Sequence, residues 1–210
     1  MTKINRRRFI GGSLALSAGL VTPTALALPS VPAAAPAPAG IADRPAIVSR
    51  ALAALDSHGP AVAQRDLLGV ADFSAHSKEM RFHLVDIARG EIRKSYLVAH
   101  GRGSDPSNSG FVERFSNRPG SNASSEGSYV TGAIYHGKHG RSRRLHGLDP
   151  QNDQAFDRAI VIHGADYVDA AMAEHQGRVG RSLGCFAFER CEIDEVLDQL
   201  GEGRLLYAAK

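Results

Sequence analysis

The segment Glu79–His100, EMRFHLVDIARGEIRKSYLVAH, alternates twice and turns once. In its first half Met80, Phe82 and Leu84 alternate with Arg81, His83 and Val85. In its second half Ile92, Lys94, Tyr96 and Val98 share one side. Between them ARGE (88–91) carries Gly90 at the point where the chain must reverse. A period of two belongs to strands, and two such runs around a glycine turn predict a β-hairpin. On such a strand His83 reads as a solvent-facing or hydrogen-bonded histidine.

Outward from this hairpin the chain remains strand-rich. The strand period begins near Leu68. Before it, Asp43–Gly59 reads as a helix with Asp43 as cap, Pro45 in the first turn, Gly59 at the stop, and Ile47, Ala51, Leu52 and Leu55 on one face. Tyr129–Tyr135 and Arg143–Leu148 read as further strands, with the turn GKHG (137–140) between them. The run Ala159–Ile162 is apolar without interruption, as in a strand buried on both faces, and it ends at His163-Gly164. Cys191–Gly203 has helical spacing, with Ile193, Val196, Leu197 and Leu200 on one side, and RLLYAA (204–209) closes as a strand. The stretch His100–Tyr129 is rich in Gly, Ser and Asn and longer than an ordinary turn, which suggests a functional surface loop. These patterns predict a mainly β domain with a few peripheral helices.

The first 27 residues read differently. NRRRFIGG (5–12) places paired arginines before Phe9, a short apolar run follows, and Ala25-Leu26-Ala27 has the small-x-small form of a cleavage site. This is the pattern of an export signal, and the arginine pair resembles a Tat signal. Its apolar part is shorter than the roughly 20 residues a membrane span requires, so membrane anchoring is expected only if the signal stays uncut. Residues 28–42 form a Pro/Ala-rich tether, and 43–210 are left for one domain. Removing residues 1–27 takes away Lys3, Arg6, Arg7 and Arg8 and no acid, which turns the formal charge from +3 to −1. The basic balance therefore belongs to the signal and gives no support to a nucleic-acid partner. The expected location is the periplasm.

Both cysteines fall in GRVGRSLGCFAFERC (177–191). An oxidising compartment permits a disulfide between Cys185 and Cys191, though so short a loop constrains the unfolded chain little. Neither cysteine has the C-x₂-C spacing of a zinc site, so no metal and no cofactor is expected. A buried pair of inert thiols and a nucleophile with a bystander are the two other readings, and Gly184 and Ser182, which flank Cys185 poorly for a core, favour the second. Gly184 lets the backbone before Cys185 turn tightly, so that nearby N–H groups can face an oxyanion. Ser182 and Arg181 place a hydroxyl and a cation close by in sequence, and a cation favours the thiolate. His163, at the end of the most apolar strand, is the best base among nine histidines. His139 in GKHG and Tyr167 are candidates to border the same site. Cys191 reads as a partly buried residue at a helix start without chemistry.

Together, VAHGRGS (98–104), FSNRPGSNASSEGSY (115–129), YHGKHGRSRRLHGLD (135–149), RAIVIHGADYV (158–168) and GRVGRSLGC (177–185) resemble the murein L,D-transpeptidase catalytic domains. The resemblance implies a β-sandwich or barrel and a cysteine acyl-transferase acting on peptidoglycan stem tetrapeptides. It also implies Cys185 as nucleophile, His163 as base, the Gly164 carbonyl as its orienting group, Gly184 and Ser182 as support, and Arg181 at the substrate. Two positions depart from the pattern. Ala187 stands where many such enzymes have arginine, and Phe186 where the closer branch commonly has proline. Hydrolysis of the same bond, as an L,D-carboxypeptidase, and a non-catalytic peptidoglycan-binding module are the alternatives.

Overall fold

Strand β1 (Leu67–Asp72) shows why the sheet is covered on both faces. Leu68 and Val70 point one way and Ala71 the other, and all three are buried. The computed structural model describes residues 45–210. The expected export signal, the tether and the cap at Asp43 lie outside these residues. Among the described residues no helix is long and apolar enough to cross a membrane.

Helix α1 (Ala46–Ser57) starts behind Pro45 and buries Ile47, Val48, Ala51 and Leu55. They pack on Leu68 and Val70, on Val85 of β2 (Phe82–Asp86), and on Leu205 and Ala209 of β8 (Leu205–Ala209). Each buried Leu, Ile or Val contributes roughly 1.5–3 kcal/mol, so this stripe fixes the helix to the sheet. The helix lies on the outside, as its periodicity predicts.

Strands β2 and β3 (Glu91–Tyr96) pair antiparallel around Gly90, whose φ is 66°. The hairpin is the predicted one, with a bulge between Leu84 and Val85. Three details differ from the simple alternation. Met80 is exposed, Val85 is buried under α1, and Arg81 is fully buried. Arg81 can be buried because backbone carbonyls satisfy it. Its Nε and Nη2 donate to Val98 O at 3.2 and 3.0 Å, and its Nη1 donates to Ala75 O at 2.9 Å. His83 meets Ser95 Oγ at 2.7 Å, the hydrogen-bonded state expected of it.

Strands β4 (Gly127–Gly137), β5 (Gly140–Gly147), β6 (Val161–Gly164) and β7 (Phe186–Phe188) complete one eight-stranded sheet of order β3-β2-β1-β8-β4-β5-β6-β7. The chain past β3 then joins the far edge, where Ala99 N donates to Ala187 O at 2.9 Å. That bridge closes the sheet into the expected barrel-like form. Phe82, Tyr96, Tyr129, Leu145, Ile162, Phe186 and Phe188 fill its interior. The Phe82 and Phe188 rings meet edge to face at 4.8 Å across it.

Helix α3 (Ile193–Gln199) packs one face on that same core through Val196 and Leu197, with Leu200 behind them, and leaves Asp194, Glu195 and Asp198 exposed on the other. Helix α2 (Ala170–Gln176) is a short surface helix. Asp169 caps it by accepting from Met172 N at 2.8 Å, and Gly177 ends it at φ 70°. The stretch 100–126 is no free surface loop. Ser104, Asp105, Ser124 and Ser125 within it are buried.

Candidate active site

Strands β6 and β7 are parallel, with Ile162 opposite Phe186 and His163 opposite Ala187. Ile162 and Phe186 face the core. Alternation therefore puts Val161 and His163 on the other face, together with Cys185 at the entry to β7. Cys185 and His163 line one cleft of 380 Å³, and Lys138, His139, Arg158, Ala159, Tyr167 and Arg181 contribute to its walls. The register thus brings together the two residues that the sequence analysis pairs, although 22 positions separate them.

The turn that presents Cys185 is held from several sides. Ser182 Oγ donates to Cys185 O at 2.7 Å and accepts from Gly184 N at 3.1 Å. The Gly184 amide is thus engaged within the turn, so Gly184 supports geometry and does not offer an oxyanion donor. Gly184 sits at φ 122°, where a Cβ would meet Ile160 Cδ1 at 2.7 Å and Ala123 O at 2.8 Å. Gly101 is equally confined, since a Cβ there would lie 2.8 Å from the Gly184 backbone. The backbone of Ser182 bridges to the 100–102 segment: its N donates to His100 O at 2.9 Å, and its O accepts from Arg102 N at 2.8 Å.

Behind this turn lies a buried polar chain. Arg81 Nη2 donates to His100 Nδ1 at 2.6 Å. A guanidinium has only donors, so the His100 proton resides on Nε2, which faces Asp105 Oδ2 at 3.4 Å. Burial, then the Arg81 charge, lowers the His100 pKa to about 4. Burial likewise holds Arg81 down at about 9. Burial pushes the Asp105 carboxyl up, but donors from Gly110 and Ser109 outweigh it and leave its pKa lowered.

His163 has the opposite tautomer. Its Nδ1 lies 2.9 Å from Gly164 O. A carbonyl only accepts, so Nδ1 carries the proton and Nε2 keeps a free lone pair. This is the orienting contact that the resemblance assigns to Gly164. Burial depresses the His163 pKa to about 4 against the Gly164 bond, aided by His139, Arg190 and Lys138. Burial also raises the Cys185 thiol, against the Val161 amide, Lys138 and Arg158. At neutral pH both partners are therefore uncharged, and the thiol donates to Ala159 O at 3.5 Å. Ala159 itself has a positive φ of 55°, rare for a residue with a Cβ.

The expectation that Arg181 favours the thiolate is corrected here. Its guanidinium donates to the Asp105 carbonyl, and the cations that act on the sulfur are Lys138 and Arg158. Arg158 went unrecognised in the sequence. It anchors the long loop by donating to Ser116 O at 2.7 Å and to Ala123 O at 2.5 Å. His139 belongs to the cleft and stacks on His163. Tyr167 also lines it, and burial, then the Cys185 sulfur, raises its phenol to about 12. Both cysteines are free, so the disulfide reading fails, and Cys191 is exposed rather than partly buried. Phe186 is locked in the core, stacked 5.9 Å from Phe73 and edge-on to Tyr129. Among the described residues no three His, Cys, Asp or Glu side chains are arranged to hold a metal ion.

No curated protein matches the chain. Among solved structures, it is similar to an L,D-transpeptidase from Mycobacterium smegmatis, at 14% identity and a TM-score of 0.43, over 69% of this chain and 59% of that one. It is also similar to L,D-transpeptidase 3 from Mycobacterium tuberculosis, at 12% identity and 0.44, over 69% and 61%. The helical cell shape determining protein Pgp2 from Campylobacter jejuni matches at 10% identity and 0.47, over 78% and 54%. The chain thus spans about three fifths or less of the length of these structures. A family model, described as the L,D-transpeptidase catalytic domain, matches residues 43–209. With four fifths of its length inside that match, the chain belongs to the L,D-transpeptidase catalytic domain family.

Proposed function

We propose that this protein is an exported, periplasmic L,D-transpeptidase that cross-links peptidoglycan, with Cys185 as nucleophile and His163 as general base. The single observation that carries the reading is the shared cleft: the Cys185 thiol and a His163 ring whose Nε2 lone pair is set free by the Nδ1–Gly164 bond. The N-terminal pattern of paired arginines, apolar run and small-residue site supports export.

The reaction begins from a neutral thiol and a neutral imidazole. Sγ attacks the carbonyl of the amide between the third residue and D-alanine of a stem tetrapeptide, while Nε2 takes the thiol proton. The C–N bond then breaks, the imidazolium returns that proton to the amine, and D-alanine leaves. A side-chain amine of a second stem attacks the thioester, giving its proton to Nε2 and restoring the thiol. Lys138 and Arg158, already biased toward the sulfur, favour the charged intermediates of both steps. General base catalysis of this kind supplies about 10²–10⁴-fold in rate.

The test is incubation of the full chain with defined muropeptides, with identification of products. Released D-alanine together with a cross-linked dimer is the expected outcome. Released D-alanine with free tripeptide alone would assign an L,D-carboxypeptidase. No turnover, and no covalent adduct on Cys185 after exposure to a carbapenem, would leave a binding module.

A further inference from the structure

A second cavity of 270 Å³ lies beside the reacting cleft, and Arg102, Arg178 and Arg181 line it together with Asn108, Gln176 and Gly180. Arg181 lines both cavities. No carboxylate lines the second one, and none of its three arginines forms an ion pair among the described residues. Four other arginines find acids, Arg65 with Asp56, Arg141 with Asp194 and Asp198, Arg190 with Asp166, and Arg204 with Asp66, whereas the buried Arg81 and Arg143 and the half-buried Arg158 spend their donors on backbone carbonyls. In the cavity, neutral oxygens do the holding. Arg178 Nε donates to Asn108 Oδ1 at 3.2 Å, and Arg181 donates to the Asp105 carbonyl. Three like charges thus line one cavity with no carboxylate in its walls, in a protein whose balance without residues 1–27 is slightly acidic.

The geometry points to a carboxylate-binding subsite for the peptidoglycan stem, built from Arg102, Arg178 and Arg181 and continuous through Arg181 with the cleft that holds Cys185. Guanidinium groups grip carboxylates through paired, charge-assisted hydrogen bonds, and a stem peptide brings free carboxylates away from the bond that reacts. The inference rests on the function proposed above, because it takes its ligand class from that reaction.

Binding is measured by calorimetry on the full chain carrying Cys185→Ala, so that no turnover intervenes. The probes are a stem tripeptide with free carboxylates and the same peptide with them amidated. The free acid is expected to bind at least about tenfold more tightly. Adding Arg102→Gln and Arg178→Gln should erase that preference, whereas Arg93→Gln, an exposed arginine on β3, should keep it. A preference that survives the double substitution, or is absent from the start, overturns the subsite whether or not the enzyme turns over. With active enzyme, a raised KM for the donor peptide or for the acceptor peptide in the double variant tells which stem is seated. An unchanged KM for both would also overturn it. Failure of Cys185 to acylate defeats the proposed function separately, since the binding measurement does not depend on that step.

Discussion

The ring of His139 stacks on that of His163, with centroids 4.1 Å apart and planes inclined by 22°. The hairpin turn between β4 and β5 therefore covers the base, shields it from water and brings the Lys138 charge near it. A base works only while neutral, so catalysis should persist well into acid and fall as pH drops through about 4. His139→Ala opens the ring to water and should move that acid limb up toward the ordinary histidine value. The check is the rate of Cys185 adduct formation by a carbapenem as a function of pH, read by intact-mass spectrometry. An acid limb that stays in place would mean that the stack does not set the base.

Ser182 clamps the nucleophile turn with two hydrogen bonds from one hydroxyl. Ser182→Ala removes both, leaving the Gly184 amide and the Cys185 carbonyl without that partner. Acylation should slow by about 10- to 100-fold, because misplacing a reacting atom slightly is costly. The melting temperature should fall only modestly, consistent with about 1–2 kcal/mol for two such bonds. Stopped-flow acylation and a thermal scan on the same variant separate the two effects.

The two cysteines should behave oppositely. Cys185→Ala should abolish turnover, whereas Cys191→Ala should leave it nearly intact, since Cys191 is exposed and outside the cleft. Equal loss from both substitutions would point to a redox pair instead. Muropeptide turnover by the two variants, side by side, decides this.

Arg81 is a buried cation satisfied by carbonyls and by His100. Arg81→Gln leaves several of those acceptors without a donor and should destabilise the protein by about 3 kcal/mol. Urea titration at neutral pH measures the loss.

His100 and His163 both ionise near 4 in the folded chain rather than at the ordinary 6.5. Between those values the unfolded chain binds protons that the native protein refuses. Stability is thus complete above about pH 6.5 and declines as pH falls toward 4, by up to about 3 kcal/mol for each imidazole. Urea midpoints compared at pH 7 and pH 4.5 should show the drop. A flat profile would mean that neither ring is held neutral.

The sequence carried the hairpin because alternation and the Gly90 turn are local signals. It carried the pairing of His163 with Cys185 through chemistry and family likeness, and the parallel register of β6 and β7 accounts for it physically. What it hid depends on distant partners. Arg81 looks like one more alternating polar residue until Val98 and Ala75 supply their carbonyls. Arg158 precedes a strand and acts on a loop some 35 to 42 residues earlier. Strand β7 has three residues, too few to display a period. Helix α2, bracketed by Asp169 and Gly177, did leave a readable signal in its cap and stop.

The eighth strand enters the sheet between β1, its parallel neighbour, and β4, its antiparallel one. During synthesis the seam between β1 and β4 therefore stays open until residues 205–209 have cleared the ribosome. A chain cut short before them would keep Cys185 and His163 together on the β4-β5-β6-β7 half, tied to the β1 side through the Ala99–Ala187 bridge. Premature termination would therefore spare the residues of the reactive cleft and remove the strand that frames them, because β8 lines no part of that cleft yet joins the two parts of the sheet.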